Sequence, residues 1–241
     1  MKDILLACIC IAFAYTASAA EDADELLVTS VRTEKTIIPG ASLKRPADYI
    51  LQKIKVSSEA REEKVRKDEI LETLRLIVNA AAKEKSIELA VVLDNRIVVP
   101  FKLDSATLKF ARGNRTDTSE TYLSVKTKVV PGASNAVALF SKLKEFPTTI
   151  KPVGRAAIDL VGDIEVSLVN PSQYREEVIK LYAADSKMVT NALGSDYRVV
   201  TKGIDRQLYW IRDGMTNVII YILYEYDVVP VGAAAYNRTG G

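Results

Sequence analysis

The chain has no histidine, and its only cysteines, Cys8 and Cys10, both fall in the first ten residues. Without imidazole or thiol in the body of the chain, the side chains that most often supply general bases, nucleophiles and transition-metal ligands near neutral pH are missing. Disulfides are excluded there too, so the core must hold the fold without cross-links. A chain of 241 residues is long enough for that, since roughly 150–300 residues bury most of the surface exposed on unfolding. Charge of one sign is also lacking: 33 Lys and Arg stand against 31 Asp and Glu. That balance argues against the strongly basic face of a nucleic-acid binder. Later apolar runs fall short of the about 20 residues needed to span a bilayer. No glycine-rich phosphate loop exists either, because Gly113, Gly132, Gly154, Gly162 and Gly194 stand isolated.

What is present begins at the N-terminus. Residues 1–19 read as a secretory signal peptide, with Lys2 as a minimal positive n-region and an apolar stretch over 4–14. Ala17-Ser18-Ala19 is a small-x-small cleavage site, so the mature chain is expected to start near Ala20. Leu5-Leu6-Ala7-Cys8 spells a lipoprotein-type sequence, but too few residues precede Cys8 to form an h-region, and Cys8 is read as a small hydrophobe. Residues 20–46 open with Glu21-Asp22-Ala23-Asp24-Glu25 and read as an extended leader holding one or two short strands, one near 26–31.

From residue 47 the patterning becomes regular. Over 47–58, Ile50, Ile54 and Val56 share one parity and Lys53 and Lys55 the other, a strand with one wet face. A helix is predicted over 60–85, with Val65, Ile70, Leu74, Ile77, Val78 and Ala81 as its apolar stripe. Its opposite face carries Glu62–Arg66 and Glu63–Lys67 at i,i+4 and reads as solvated. Strands at 87–93 and 96–102 meet at Asp94-Asn95, and a polar loop near 111–120 is the best internal boundary. A strand over 121–130 precedes a shorter helix over 134–146, which presents Val137, Phe140 and Leu143 and is stopped by Pro147. Asp159 to Asp163 reads as a turn before a strand at 163–169.

A helix over 171–193 has Asn170 as N-cap, Pro171 at the first position and Gln173 to complete a capping box, with Gly194 as its stop. Tyr174, Val178, Leu181, Ala184, Met188 and Ala192 are its inward face. Strands at 197–202, 207–212 and 217–229 close the region, the last two joined by Asp213-Gly214, and 230–241 is a flexible tail. The order predicts an α+β fold over 47–229: mostly antiparallel sheet packed against two long helices and one shorter one.

Two stretches carry a resemblance. Ala47-Asp48-Tyr49-Ile50 runs into the long charged helix, and Leu168-Val169-Asn170-Pro171-Ser172 leads into Tyr174-Arg175-Glu176-Glu177-Val178 and a second helix before terminal strands. Behind a signal peptide, this layout over 43–229 resembles the SIMPL-domain family of bacterial envelope proteins, which includes periplasmic immunogenic antigens. The resemblance implies a periplasmic, self-associating α+β protein linked to envelope stress. It brings no catalytic residues with it.

The search for chemistry agrees with that silence. Ser141-Lys142, Ser186-Lys187 and Ser42-x-Lys44 are the serine–lysine pairs, but adjacent helical residues point apart, and no Ser-x-x-Lys or Gly-x-Ser-x-Gly occurs. The acidic residues form no calcium loop. We therefore expect no enzyme, no cofactor and no metal. Over 217–229 both strand parities are apolar, which suits either a central strand covered on both sides or one face buried against another subunit. On the second reading Trp210, Tyr221 and Tyr224 are the candidate contacts of a homo-oligomer. The expected role is that of an exported, self-associating envelope protein. The alternative is a periplasmic carrier or chaperone for an apolar ligand or unfolded client.

Overall fold

The computed structural model describes residues 24–29, 38–104, 108–113, 115, 117–130 and 136–233. The expected signal peptide, its cleavage site, Cys8 and Cys10, and the tail beyond 233 lie outside the described residues. In chain order the elements are β1 (Glu25–Val28), β2 (Ser42–Pro46), β3 (Tyr49–Ser58), α1 (Glu63–Lys83), β4 (Glu88–Val92), β5 (Ile97–Pro100), β6 (Ala111–Arg112) and β7 (Ser119–Lys128). They continue with α2 (Ala136–Glu145), β8 (Ala156–Val169), α3 (Arg175–Leu193), β9 (Tyr197–Lys202), β10 (Leu208–Asp213), β11 (Asn217–Ile222) and β12 (Glu225–Pro230). The chain is mixed α+β, and its strand pairings are antiparallel. None of the described helices is long and apolar enough to cross a membrane.

The large sheet runs β3-β8-β1-β5-β4-β7, and β7 then pairs back onto β3. Six strands therefore close into a ring, with β6 added on the β7 edge. Alternation along each strand gives the ring two faces. Ile50, Ile54 and Val56 of β3, Leu123 and Val125 of β7, and Val166 and Leu168 of β8 face outward into the main core. There they meet Ile70, Leu74 and Ile77 of α1, Leu143 of α2, Val178 of α3, and Val218, Ile220 and Ile222 of β11. The opposite parity points into the bore, where Leu27, Leu51, Ala90 and Val98 from four strands meet. The wet face expected of β3 is thus the inside of a barrel.

β1 and β2 both come from the stretch read as a leader, and both are integral to sheets. β1 fills the gap between β8 and β5, and β2 is an edge of the three-stranded sheet β10-β11-β2. The strand expected as one piece over 217–229 is two. It breaks at Leu223 and Tyr224, so that β11 is central in the three-stranded sheet while β12 pairs with β9 in a separate two-stranded ribbon. Tyr224 holds the break: its hydroxyl accepts from the Ala41 backbone N–H at 2.9 Å and donates to Asp185 Oδ2 at 2.9 Å.

The helices differ from their patterns in instructive ways. On α1, Ile70, Leu74 and Ile77 are fully buried, but Val65 is exposed and Arg66, placed on the solvated face by its charge, is buried. Arg66 donates to the Ala60 and Arg61 carbonyls, each at 2.9 Å, and to Ser119 Oγ at 3.0 Å. Those acceptors offset the loss of water around the guanidinium. Lys67 and Glu63 do pair on the outer face, at 2.6 Å. On α2, Leu143 is buried and Val137 is exposed.

On α3 the buried residues are Val178 and Tyr182, whereas Leu181 and Met188 are exposed. Its start is not a capping box. Asn170 has a left-handed backbone (φ 44°) without a side-chain cap, and Pro171–Tyr174 form a 3-10 turn before the helix proper. The Asn170 backbone N–H is committed to the Asp24 carbonyl beside β1, at 2.7 Å, which fixes the residue outside the ordinary N-cap conformation. Gly194 does end the helix, at φ 85°.

Candidate functional site

Among the described residues, polar side chains from opposite walls converge in the bore. β1 and β7 are diametrically placed in the ring, yet Lys126 of β7 reaches across to Glu25 of β1 in a buried ion pair. Ser167 donates to the other Glu25 oxygen at 2.6 Å, Glu88 lies 3.5 Å from Lys126 Nζ, and the Tyr49 ring sits 4.0 Å beneath the ammonium. Burial and the carboxylates of Glu88 and Glu25 push the Tyr49 phenol upward, so it stays neutral. This layer plugs one end of the barrel.

Beside the plug, the bore opens into a cavity of about 420 Å³. Leu27 and Val92 give it apolar walls, and Lys53, Tyr122, Ser124 and Glu165 give it polar ones. The Lys53 ammonium lies 4.6 Å from the centre of the Tyr122 ring. At the rim, Lys109 and Asp94 form an exposed pair at 3.8 Å.

The spacing of Lys53 and Glu165 is set by a bulge. Val161 stands opposite Lys53, and Glu165 opposite Leu51, so β8 carries two residues more than a regular register between them. Gly162 supplies the left-handed turn at φ 66°. The buried Gln52 amide donates to the Val161 carbonyl at 3.1 Å, and Arg212 of β10 donates to the Ile164 carbonyl. The Asp159–Asp163 stretch, expected as a turn before a strand, is this bulge within a longer strand.

Burial pushes the Glu165 carboxyl above its ordinary value, and Lys53 and Arg212 oppose the shift. A carboxyl so raised binds its proton more tightly in the folded state than in the unfolded one. Stability then falls as pH rises from the ordinary glutamate range, about 4.3, through the raised value. Glu165→Gln is expected to abolish that fall, read as a flatter dependence of melting temperature on pH. An unchanged profile would show that the carboxyl is solvated as usual.

The residues singled out in the sequence as contacts lie in three different places. Trp210 of β10 is half-buried against the main core. Tyr221 is buried on the other face of β11, packed with Ile211 and Ile219 and stacked on Tyr209 at 5.8 Å. Tyr224 is held by Ala41 and Asp185, its ring edge-on to Tyr182 at 4.4 Å. Both faces of β11 are thus covered by residues of the same chain. Of the serine–lysine candidates, Lys44 pairs with Asp213 at 2.6 Å and Lys142 with Glu84 at 2.8 Å. Among the described residues no group of His, Cys, Asp and Glu is placed to hold a metal ion.

Lys53, Tyr122, Glu165 and the Glu25–Lys126 pair were missed as a site. Their signal was present, since Lys53 and Lys55, and Tyr122, Ser124 and Lys126, occupy one parity of their strands. No known family model matches this chain, and no curated protein matches it.

Proposed function

We propose that this chain is an exported, non-enzymatic envelope protein that carries a small, partly apolar ligand in the mouth of its barrel. The observation that carries this reading is the cavity beside the Glu25–Lys126 plug. Its volume, about 420 Å³, lies in the range of small-molecule sites, roughly 300–1,000 Å³. It combines apolar walls with a few converging polar groups, the usual make-up of such sites. Val92→Trp, which fills the cavity from β4, is expected to abolish saturable binding of an anilinonaphthalene sulfonate probe while leaving the far-ultraviolet circular dichroism unchanged. Probe binding that survives the substitution in a folded protein would count against the carrier. Export is supported by the signal-peptide pattern and by the resemblance to SIMPL-domain proteins, and predicts a mature N-terminus at Ala20 or Glu21. An intact Met1 on cytoplasmic protein would overturn it.

Self-association is a second reading, favoured by a different feature from the one that first suggested it. Among the described residues the β9–β12 ribbon has two strands, each with an outer edge that no described strand pairs, and Tyr197, Val228 and Val231 are exposed at or beside it. A second copy adding strands to this ribbon would cover both. Sedimentation at micromolar concentration is expected to give a mass above that of one chain, and Val228→Lys to lower it. A monomeric wild type removes this reading and leaves the carrier untouched.

A further inference from the structure

The cavity holds two opposite charges that do not meet. Among the described residues, the exposed Lys53 ammonium has Tyr122 as its neighbour and no ion pair, and the half-buried Glu165 carboxyl has neither an ion pair nor a hydrogen bond, although Lys53 and Arg212 both act on its charge from a distance. The bulge in β8 falls between the two groups, with Glu165 opposite Leu51 on one side of it and Val161 opposite Lys53 on the other. The other two charges that line the cavity, Lys109 and Asp94, lie in solvent at its rim, 3.8 Å apart. Two unpaired groups of opposite sign therefore face one small, partly apolar space.

Filling that space takes water from the half-buried Glu165 and from the cavity side of Lys53, which is otherwise exposed. A neutral ligand would leave both less solvated with no new partner, and a ligand with one charge would serve only one of them. Only a ligand with both charges supplies each group with its partner and keeps the site neutral. Resting on the carrier reading, we infer that the ligand is a small zwitterion, with a primary ammonium bound by Glu165, an anionic group bound by Lys53, and an apolar body against Leu27 and Val92. The raised carboxyl of Glu165, half-buried in the cavity wall, fits a group whose charge a cation would stabilise. Free apolar amino acids and short apolar peptides have this chemistry, and so does the headgroup of phosphatidylethanolamine.

Titration calorimetry on the full mature chain tests the inference with four forms of one dipeptide and one lipid. The probes are Leu-Leu, its N-acetyl form, its C-terminal amide, the form blocked at both ends, and dihexanoyl phosphatidylethanolamine below its micelle concentration. At least one zwitterion is expected to bind about tenfold or more tighter than the singly blocked dipeptides, the cost of leaving one cavity charge without its partner. Glu165→Gln should erase the discrimination against the acetylated dipeptide, and Lys53→Met that against the amide, each leaving the other preference intact. Glu165→Gln removes a carboxylate that has no ion pair and is expected to melt no lower than wild type, and Lys53→Met is expected to keep the wild-type far-ultraviolet circular dichroism. A tighter Leu-Leu supports the amino-acid source and a tighter lipid the headgroup source. Equal binding of the doubly blocked dipeptide would overturn the zwitterion and leave the carrier standing. Absence of binding by every probe at millimolar concentration, together with failure of the Val92→Trp test, would overturn both.

Discussion

Replacing Lys126 with methionine is expected to lower the stability of the fold by about 3–5 kcal/mol, measured by urea unfolding. The substitution keeps the length and the apolar stem of the side chain, so little packing is lost. What it leaves behind is the carboxylate of Glu25, buried across the bore from its former partner and held by Ser167 alone. A buried charge without a counter-charge is far more costly than a buried pair, because the pair's mutual attraction had offset much of the desolvation. The double variant Glu25→Gln/Lys126→Met removes both charges and is expected to recover most of the loss. A single variant within about 0.5 kcal/mol of wild type would be the behaviour of an exposed site and would show that the pair is solvated in solution.

Leu74→Ala is the second large effect, at about 2–5 kcal/mol. Leu74 is fully buried where α1 lies on the outer wall of the ring, between Ile70 and Ile77 and facing β3 and β7. Truncation loses the transfer free energy of the side chain and opens a cavity that rigid strands on one side cannot collapse into. Val65→Ala, by contrast, should change stability by no more than about 0.5 kcal/mol, because Val65 lies half a turn out of phase with Leu74, on the exposed side of the helix. Equal losses at the two positions would mean that both faces of α1 are covered.

The local patterns in the sequence located most elements. The α1, α2 and α3 segments, the turn at Asp94-Asn95, the one at Asp213-Gly214 and the stop at Gly194 follow from periodicity and turn chemistry, which act over a few residues. What was not legible depends on partners far along the chain. Lys53 and Lys55 read as a wet face because alternation says only that two faces differ. It does not say that one of them is rolled inward, since closure rests on β1, β5 and β4 meeting β8 and β7. Arg66 read as a surface charge because one of its acceptors, Ser119, becomes a neighbour only after β7 docks beside the start of α1, although the Ala60 and Arg61 carbonyls are local. The break between β11 and β12 was hidden for the same reason, since nothing between Ile222 and Glu225 is a turn residue. Tyr224 interrupts the strand through Ala41 and Asp185, both remote in sequence.

The closing strand of the ring also sets a clock. Glu25 and Ser167 are 142 positions apart, so β1 cannot be seated until β8 has been made and brought back to it. Non-local pairing of this kind slows folding, because the entropy of a long loop is lost before any contact compensates for it. Until then β8 and β5 each carry a row of unpaired backbone groups, a template for any extended segment nearby. For a chain read as crossing a membrane unfolded, this order is an advantage at first and a hazard afterwards. On the export reading, the barrel cannot lock while β8 is still in transit, and it stays open to strand capture by a neighbour until β8 meets β1.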